Sequence, residues 1–428
     1  MPSLHWSSKT ESIPQGGNLE TDAVLYPFDG SESAPHPESH LIVGDNHRVM
    51  NALIPEYEGK IDLIYADPPF FTNQGYSARV GRGEDSRQPK EWQLAEGYPD
   101  QWKDLDAYLD FLYPRLIQMH KLLSPTGSFF LHLDWHANSY ARLLLDEIFG
   151  YDNLRNEIIW TYHGPSPIRS AYNRKHDMIL FYSKSNQYTF NVDQVRIPYN
   201  QSTVKTFKSS KKAGFGKIPN LERGKVPEDW WYFPVVARLH KERTGYPTQK
   251  PERIMERIIL ASSNPGDLVA DFFGGAGTTA VVASRLNRRF ISSDNQLRAL
   301  HTSRSRLVLD VQSRMKEKKV TSGLEYSVKI QREAAVEKNS QLSAEEFGLS
   351  TLEENQGKIT LPAELLSQVD YWEVDPDWKG EIFQSRIQAA RSWRKGELPA
   401  SISLPENCGE ICLRLVLING TQIQHIYK

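Results

Sequence analysis

Residues 267–280 read Asp-Leu-Val-Ala-Asp-Phe-Phe-Gly-Gly-Ala-Gly-Thr-Thr-Ala, and this stretch decides the fold. A short apolar run over 267–272 predicts a buried strand. It breaks at the glycine turn 274–277, and a helix is expected over 278–286. Glycines here let the backbone turn sharply and approach a ligand closely. The next strand, 289–294, ends on Asp294, whose carboxylate suits both hydroxyls of a ribose. Strand, glycine turn, helix and strand form a unit of a parallel α/β sheet, and its ligand is expected to be a nucleoside cofactor. Dehydrogenases share this layout, so the turn alone leaves the reaction open.

Upstream, residues 60–67 form a second buried strand that ends in Asp67-Pro68-Pro69-Phe70. The prolines stop the strand and remove backbone donors while leaving acceptors. Asp67 and the Pro68 carbonyl can then accept both hydrogens of an amino group, and Phe70 can stack on a flat heterocycle. Further strands are expected at 41–46, 128–134, 157–162 and 177–183, and helices at 105–123, 140–149, 252–263 and 297–311.

With these blocks in place, the sequence resembles the amino-group DNA methyltransferases of the permuted class, in which the catalytic motif precedes the cofactor motif. It is similar to modification subunits of restriction systems, type III-like ones included. The ordered blocks are 41–53, 62–70, 128–160, 175–183, Tyr246-Pro247-Thr248-Gln249-Lys250-Pro251, 265–280 and 289–294. The resemblance implies an α/β, Rossmann-like S-adenosylmethionine-dependent methyltransferase fold with a mostly parallel sheet. It also implies transfer of the cofactor's methyl group to N6 of adenine in DNA, as the modification component of a restriction–modification system. Asp67, Pro68, Pro69 and Phe70 would be the catalytic set. Asp45 and Asn46 would lie by the cofactor's adenine, Lys250 by its methionine end and Asp294 on its ribose. Asp67, Asp271, Phe273, Gly274, Gly275, Gly277 and Thr278 would complete that site. Asp294 stands where the family commonly has Glu, and Ala276 where it often has Ser.

Composition narrows the alternatives. The 428 residues are 39% hydrophobic and 24% charged, with net charge −2, so any nucleic-acid surface must be local. The basic stretch carries Lys205, Lys208, Lys211, Lys212, Lys217, Arg223 and Lys225 among aromatics, and is expected to contact DNA phosphates. The two cysteines, Cys408 and Cys412, lie far from the catalytic motif, which argues against methylation of cytosine carbon-5 through a thiolate. They offer no zinc set, and no metal is expected. No apolar run is long enough to span a membrane, and the chain is expected to be cytoplasmic.

Residues 1–39 are expected to form an irregular arm. Residues 40–322 would be the catalytic domain, with a mobile loop at 71–104 and a target-recognition insert at 184–245. Residues 323–428 would form a small mixed α+β domain closed by an Asn419-Gly420 hairpin. DNA is the expected partner; an endonuclease subunit and a second copy of the chain stay open. Methylation of cytosine N4, a catalytically silent DNA-binding subunit and a nicotinamide dehydrogenase are the rival readings.

Overall fold

The computed structural model describes residues 3–10, 17–26, 39–81, 92–165, 168–209, 219–237, 240–317, 327–336, 357–392, 396–418 and 420–427. In chain order the strands of the first half are β1 (Leu19–Leu25), β2 (Ser39–Val43), β3 (Ile61–Ala66), β4 (Gln74–Gly81), β5 (Trp92–Asp100), β6 (Leu123–Leu133), β7 (Leu154–Thr161), β8 (His176–Ser183) and β9 (Trp230–Tyr232). Those of the second half are β10 (Leu268–Asp271), β11 (Arg289–Asp294), β12 (Val328–Glu333), β13 (Lys358–Thr360), β14 (Val369–Asp375), β15 (Phe383–Ser385), β16 (Ile387–Ala390), β17 (Ser401–Ser403), β18 (Ile411–Leu417) and β19 (Gln422–Tyr427). The helices are α1 (Asn46–Tyr57), α2 (Leu105–Leu122), α3 (Asn138–Phe149), α4 (Gln201–Ser209), α5 (Glu252–Ser262), α6 (Thr278–Arg285), α7 (Leu297–Lys316) and α8 (Ala363–Leu366).

An 11-stranded sheet runs β15-β1-β12-β2-β11-β10-β3-β6-β8-β7-β9. From β12 to β6 every pairing is parallel, while β8 runs antiparallel to both β6 and β7. This is an α/β, Rossmann-like fold. Alternation along the strands feeds two cores. Leu63 and Tyr65 pack with α5, α6 and α7 through Met255, Val281 and Leu307. Ile64 and Ala66 pack on the other face with α1, α2 and α3 through Met50, Leu112 and Leu145. Helices cover both faces, so the central strands are largely apolar where they cross the core.

The chain leaves β10 through α6 towards β11, but leaves β3 through α2 towards β6 on the opposite side. The β10–β3 pair is thus a topological switch point, where the carboxyl ends of the strands open a crevice. Asp271 closes β10 and Asp67 follows β3.

Four boundaries differ from the expectation. The arm over residues 1–39 holds β1, which pairs with β12 and β15, and Trp6 donates to Asp110 on α2 at 2.6 Å. A half-polar strand among Ser, Pro and Gly shows no local signal until a partner edge pairs with it. The loop 71–104 is mostly the antiparallel ladder β4–β5; the residues between the two strands, 82–91, lie outside the described residues. The insert 184–245 returns β9 to the main sheet beside β7. The region after 322 also splits, because β12 lies between β1 and β2 and β15 extends the far edge. A second sheet, β16-β14-β18-β19, rests on α7 and ends in the hairpin at Gly420.

Candidate active site

The crevice at the switch point holds a cavity of about 280 Å³. Its wall includes Asp45, Asn46, Asp67, Pro69, Lys250, Asp271, Phe273, Gly274, Gly275, Thr278 and Asp294, so most of the residues expected around the cofactor and the catalytic motif meet here. Pro68, Phe70 and Gly277 are not part of the wall.

Asp67 is the chemical centre. Its Oδ2 accepts a charge-assisted hydrogen bond from Lys250 Nζ. Its Oδ1 is buried and accepts no hydrogen bond among the described residues. A buried carboxylate oxygen without a donor is costly unless a ligand supplies one. The Pro69 carbonyl accepts from the Tyr108 hydroxyl at 2.9 Å. Phe70 stacks on the buried ring of His132, centroids 5.8 Å apart, and Lys250 Nζ lies 5.1 Å from the Phe70 centroid.

Behind this loop lies a network that sequence reading missed. His132 bonds Tyr65 through Nδ1 at 2.7 Å and Asp177 through Nε2 at 3.3 Å, and Tyr162 donates to Asp177 at 3.1 Å. Burial opposes the charge on Asp177, yet these bonds and nearby Lys250 hold its carboxyl below the usual range.

Asp100, at the end of β5, organises the loop itself. It accepts from the backbone N–H groups of Phe70, Phe71 and Thr72, from the Thr72 hydroxyl and from Trp102 Nε1. Phe71 and Asn73 have φ of 65° and 56°, and Thr248, two residues before Lys250, has 54°. Such conformations are strained for non-glycine residues and persist only where the surroundings hold them. Asp100 supplies that hold for Phe71. Tyr98, on the same strand, reaches Thr248 at 2.9 Å, so β4–β5 forms one wall of the crevice. No local pattern marks Asp100 as a brace of this loop, because its loop partners Phe70, Phe71 and Thr72 lie about thirty residues away.

On the cofactor side Asp294 accepts from the N–H groups of Gln296 and Gly275, both at 2.9 Å. Burial pushes its carboxyl up to about 6. Asp271 accepts from Thr279 Oγ1 at 2.6 Å and from Phe273 N at 3.0 Å. Burial raises it to about 7 against those bonds, with Asp67 and Asp294 adding repulsion. Asp45 caps α1 by accepting from His47 N and Arg48 N, and receives Arg115 at 2.8 Å. Asn46 donates to the Phe272 carbonyl at 2.8 Å and accepts from Arg115 Nε at 2.6 Å. Asp45 and Asn46 are thereby tied into the frame that joins α1, α2 and the turn after β10.

Two glycines show why the turn excludes side chains. A Cβ on Gly274 would collide with Ser292 Oγ, and one on Gly277 (φ 71°) would collide with Ser303 on α7. Gly277 therefore serves helix packing, not the cavity surface.

Only part of the basic stretch lies within the described residues. Lys211, Lys212 and Lys217 lie outside the described residues, as does the side chain of Lys208. Lys205 is exposed on α4. Arg223 is bound at two points by Asp193, and Lys225 is paired with Glu228. Arg223 and Lys225 are thus engaged in internal ion pairs, although Asp193 also holds Arg196 at 2.6 Å.

The signature of the family described as DNA methylase matches residues 61–304, from β3 into α7. Type II methyltransferase M.BglII of Bacillus subtilis is 31% identical over 265 residues, which cover 60% of this chain and 66% of that protein. Type II methyltransferase M.HpaI of Haemophilus parainfluenzae is 32% identical, covering 58% and 69% of the two chains. DNA adenine methyltransferase YhdJ of Escherichia coli K12 is 32% identical over 54% of this chain and 70% of its own. The matches span about two thirds of these relatives, two of which carry type II names. Since the family signature runs through both the Asp-Pro-Pro-Phe strand end and the glycine turn and covers more than half of the sequence, the chain belongs to the DNA methylase family.

Proposed function

We propose that the chain transfers a methyl group from S-adenosylmethionine to the exocyclic N6 of adenine in DNA, as the modification component of a restriction–modification system in the cytoplasm. The observation that carries this reading is the buried, unpartnered Oδ1 of Asp67 beside the cavity. Adenine is favoured over cytosine by the aspartate at that position and by a relative named a DNA adenine methyltransferase.

The residues present fit the cofactor. Asp294 keeps acceptor capacity for ribose hydroxyls, while Phe273, Gly274 and Gly275 line the cavity around it. When bound, the cofactor supplies a methyl group made electrophilic by its sulfonium. The adenine amine is a poor nucleophile, because its lone pair is delocalised into the ring. Asp67 Oδ1 accepts one N–H. The Pro69 carbonyl is committed to Tyr108, so the Pro68 carbonyl is left to accept the other. Held this way, the lone pair turns out of the ring plane. Positive charge grows on nitrogen as the N–C bond forms and the C–S bond breaks, the carboxylate binds that state more tightly than the ground state, and the surplus N–H proton then leaves past Asp67 to solvent. The target base must leave the duplex stack to reach this pocket. To lie on Phe70, it must displace the Lys250 ammonium from that ring.

Treating DNA with the chain and labelled cofactor, then digesting it for mass spectrometry, is expected to yield N6-methyladenine. N4-methylcytosine would reassign the base, and an absence of any methylated base would overturn the reading. Methylation-sensitive sequencing of DNA from expressing cells reports the sequence context.

Cofactor affinity should depend on pH. The folded Asp294 and Asp271 carboxyls titrate near 6 and 7, above the ordinary value of 3.8. Their contribution to the stability of the free protein is therefore present at low pH and lost as pH rises through about 6 to 7. A cationic ligand with two ribose hydroxyls favours the ionised forms, so binding runs the other way. Calorimetry is expected to show the dissociation constant tightening about tenfold between pH 5 and pH 7, with proton release near pH 6. A flat profile would show that Asp294 does not meet the ribose.

A further inference from the structure

The side of the crevice next to Phe70 ends in a rim that the catalytic reading does not use. Strands β6, β7 and β9 all finish at the edge where Asp67 lies, because β3, β6, β7 and β9 point the same way and β8 runs against them. The segments after β6 and β7 therefore flank the catalytic loop. Trp135 follows β6, three residues after the His132 that stacks on Phe70. It is 47% exposed, and the Arg174 guanidinium lies 4.1 Å from its ring centroid. Tyr172 is 98% exposed. His163, just past β7, lies 5.0 Å from Tyr232 at the end of β9, which is 51% exposed.

Charge points the same way. Between Tyr162 and His176 the sequence carries Arg169, Arg174 and Lys175 with His163 and His176, and no Asp or Glu. Arg169 and Arg174 are exposed, and Lys175 is spent holding the segment through the Pro165 carbonyl at 2.9 Å. The acid beside this rim, Asp134, is taken by His136 at 2.8 Å. In the 205–225 stretch, by contrast, Arg223 shares Asp193 with Arg196 and Lys225 is paired with Glu228. Exposed cations interleaved with exposed aromatic faces suit a polyanion whose bases can stack.

We propose that the rim formed by Trp135, His163, Arg169, Tyr172 and Arg174 is where the DNA strand flanking the target nucleotide docks. Arg169 and Arg174 take phosphates and Tyr172 offers a stacking face beside the gap left by the extruded base, while Trp135, packed on His136 at 3.7 Å, carries the Arg174 guanidinium. This rests on the proposed DNA-methylating function and deepens it by locating the substrate.

The test uses the full chain and a fluorescently labelled DNA duplex, with affinity read by anisotropy across a salt series. For Arg169→Ala/Arg174→Ala the slope of log affinity against log salt is expected to fall by about two, one for each phosphate that is no longer neutralised. Tyr172→Ala is expected to weaken binding about tenfold or more, with a smaller change in slope. Both variants should bind S-adenosylmethionine as the parent does, which shows that they fold. A Lys205→Ala/Arg223→Ala/Lys225→Ala variant should keep the parental slope. The proposal is overturned if the double arginine variant keeps parental affinity and slope, or if the lysine-stretch variant alone loses them. Methyl transfer to genomic DNA by the parent chain is measured alongside. A parent that binds duplex but transfers no methyl would count against the proposed reaction and leave the docking result standing.

Discussion

Asp67→Ala is expected to lower the rate of methyl transfer by about a thousandfold or more while changing cofactor affinity only a few-fold. The rate loss follows from removing the charged acceptor placed where positive charge develops; single preorganised groups of this kind are worth about two to three powers of ten. Loss of lone-pair alignment adds to it. Cofactor binding survives because Asp294, Gly274 and Gly275 are on β11 and the turn after β10, and none of them bonds Asp67. The substitution also removes a negative charge that raises Asp271. The carboxyl of Asp271 should therefore titrate at lower pH in the variant, and proton release on cofactor binding should move the same way. Asp67→Asn keeps one acceptor oxygen and the shape, and should retain more activity than the alanine variant. Single-turnover rates with labelled cofactor, set beside calorimetry, separate these effects. Alanine and parental rates within a factor of ten would remove Asp67 from the chemistry.

Glu373→Ala is expected to produce the largest loss of stability, about 3–5 kcal/mol. Glu373 is fully buried on β14 between α7 and the second sheet. Its Oε1 accepts from Arg304 at 3.2 Å and Arg414 at 3.4 Å, and its Oε2 accepts from Tyr371 at 2.9 Å and Ser385 at 2.6 Å. Arg304 also lies 4.5 Å from the Tyr371 ring centroid, and Arg414 lies 4.0 Å from that of Phe383. Without the carboxylate two buried guanidinium groups lose their counter-ion, and Arg304 Nε is already without an acceptor among the described residues. Breaking a buried ion cluster from one side costs far more than the intact cluster contributes. His301 cannot help, because burial and the neighbouring arginines hold its imidazole neutral, well below its usual titration range. Urea unfolding of the variant should show a lower midpoint, and hydrogen exchange should quicken first in β14 and β18. A midpoint equal to the parent would show that the second sheet is held by its apolar contacts alone. Glu373→Gln keeps the acceptor oxygen and should fall between the two.

Parts of this arrangement were legible along the chain for a definite reason. β3 and β10 are buried on both faces, so each reads as a largely apolar run, and each leads to a residue type with an obvious task. The glycine turn carries its own reason, since Ser292 and Ser303 leave no room for a Cβ at Gly274 or Gly277. Asp294 was legible because one helix and one strand separate it from the turn after Asp271. By contrast, the half-polar β1 and the three-residue β9 become strands only when β12 and β7 pair with them. Asp100 reaches back about thirty positions, and the His132–Asp177–Tyr65 network draws on three strands. Counting cations between 205 and 225 located charge but not Asp193 and Glu228, which absorb part of it.

By itself, then, the sequence determined the α/β class, the cofactor turn and the Asp-Pro-Pro-Phe motif, because strand periodicity, proline and glycine act over a few neighbouring residues. The tertiary structure alone decided that β12 and β15 belong to the main sheet, that Asp100 braces the catalytic loop, that Lys250 sits on Asp67 and that Glu373 binds α7 to the second sheet. Those are pairings between groups far apart in the chain, and their energies exist only once burial has removed the water that would otherwise satisfy each partner.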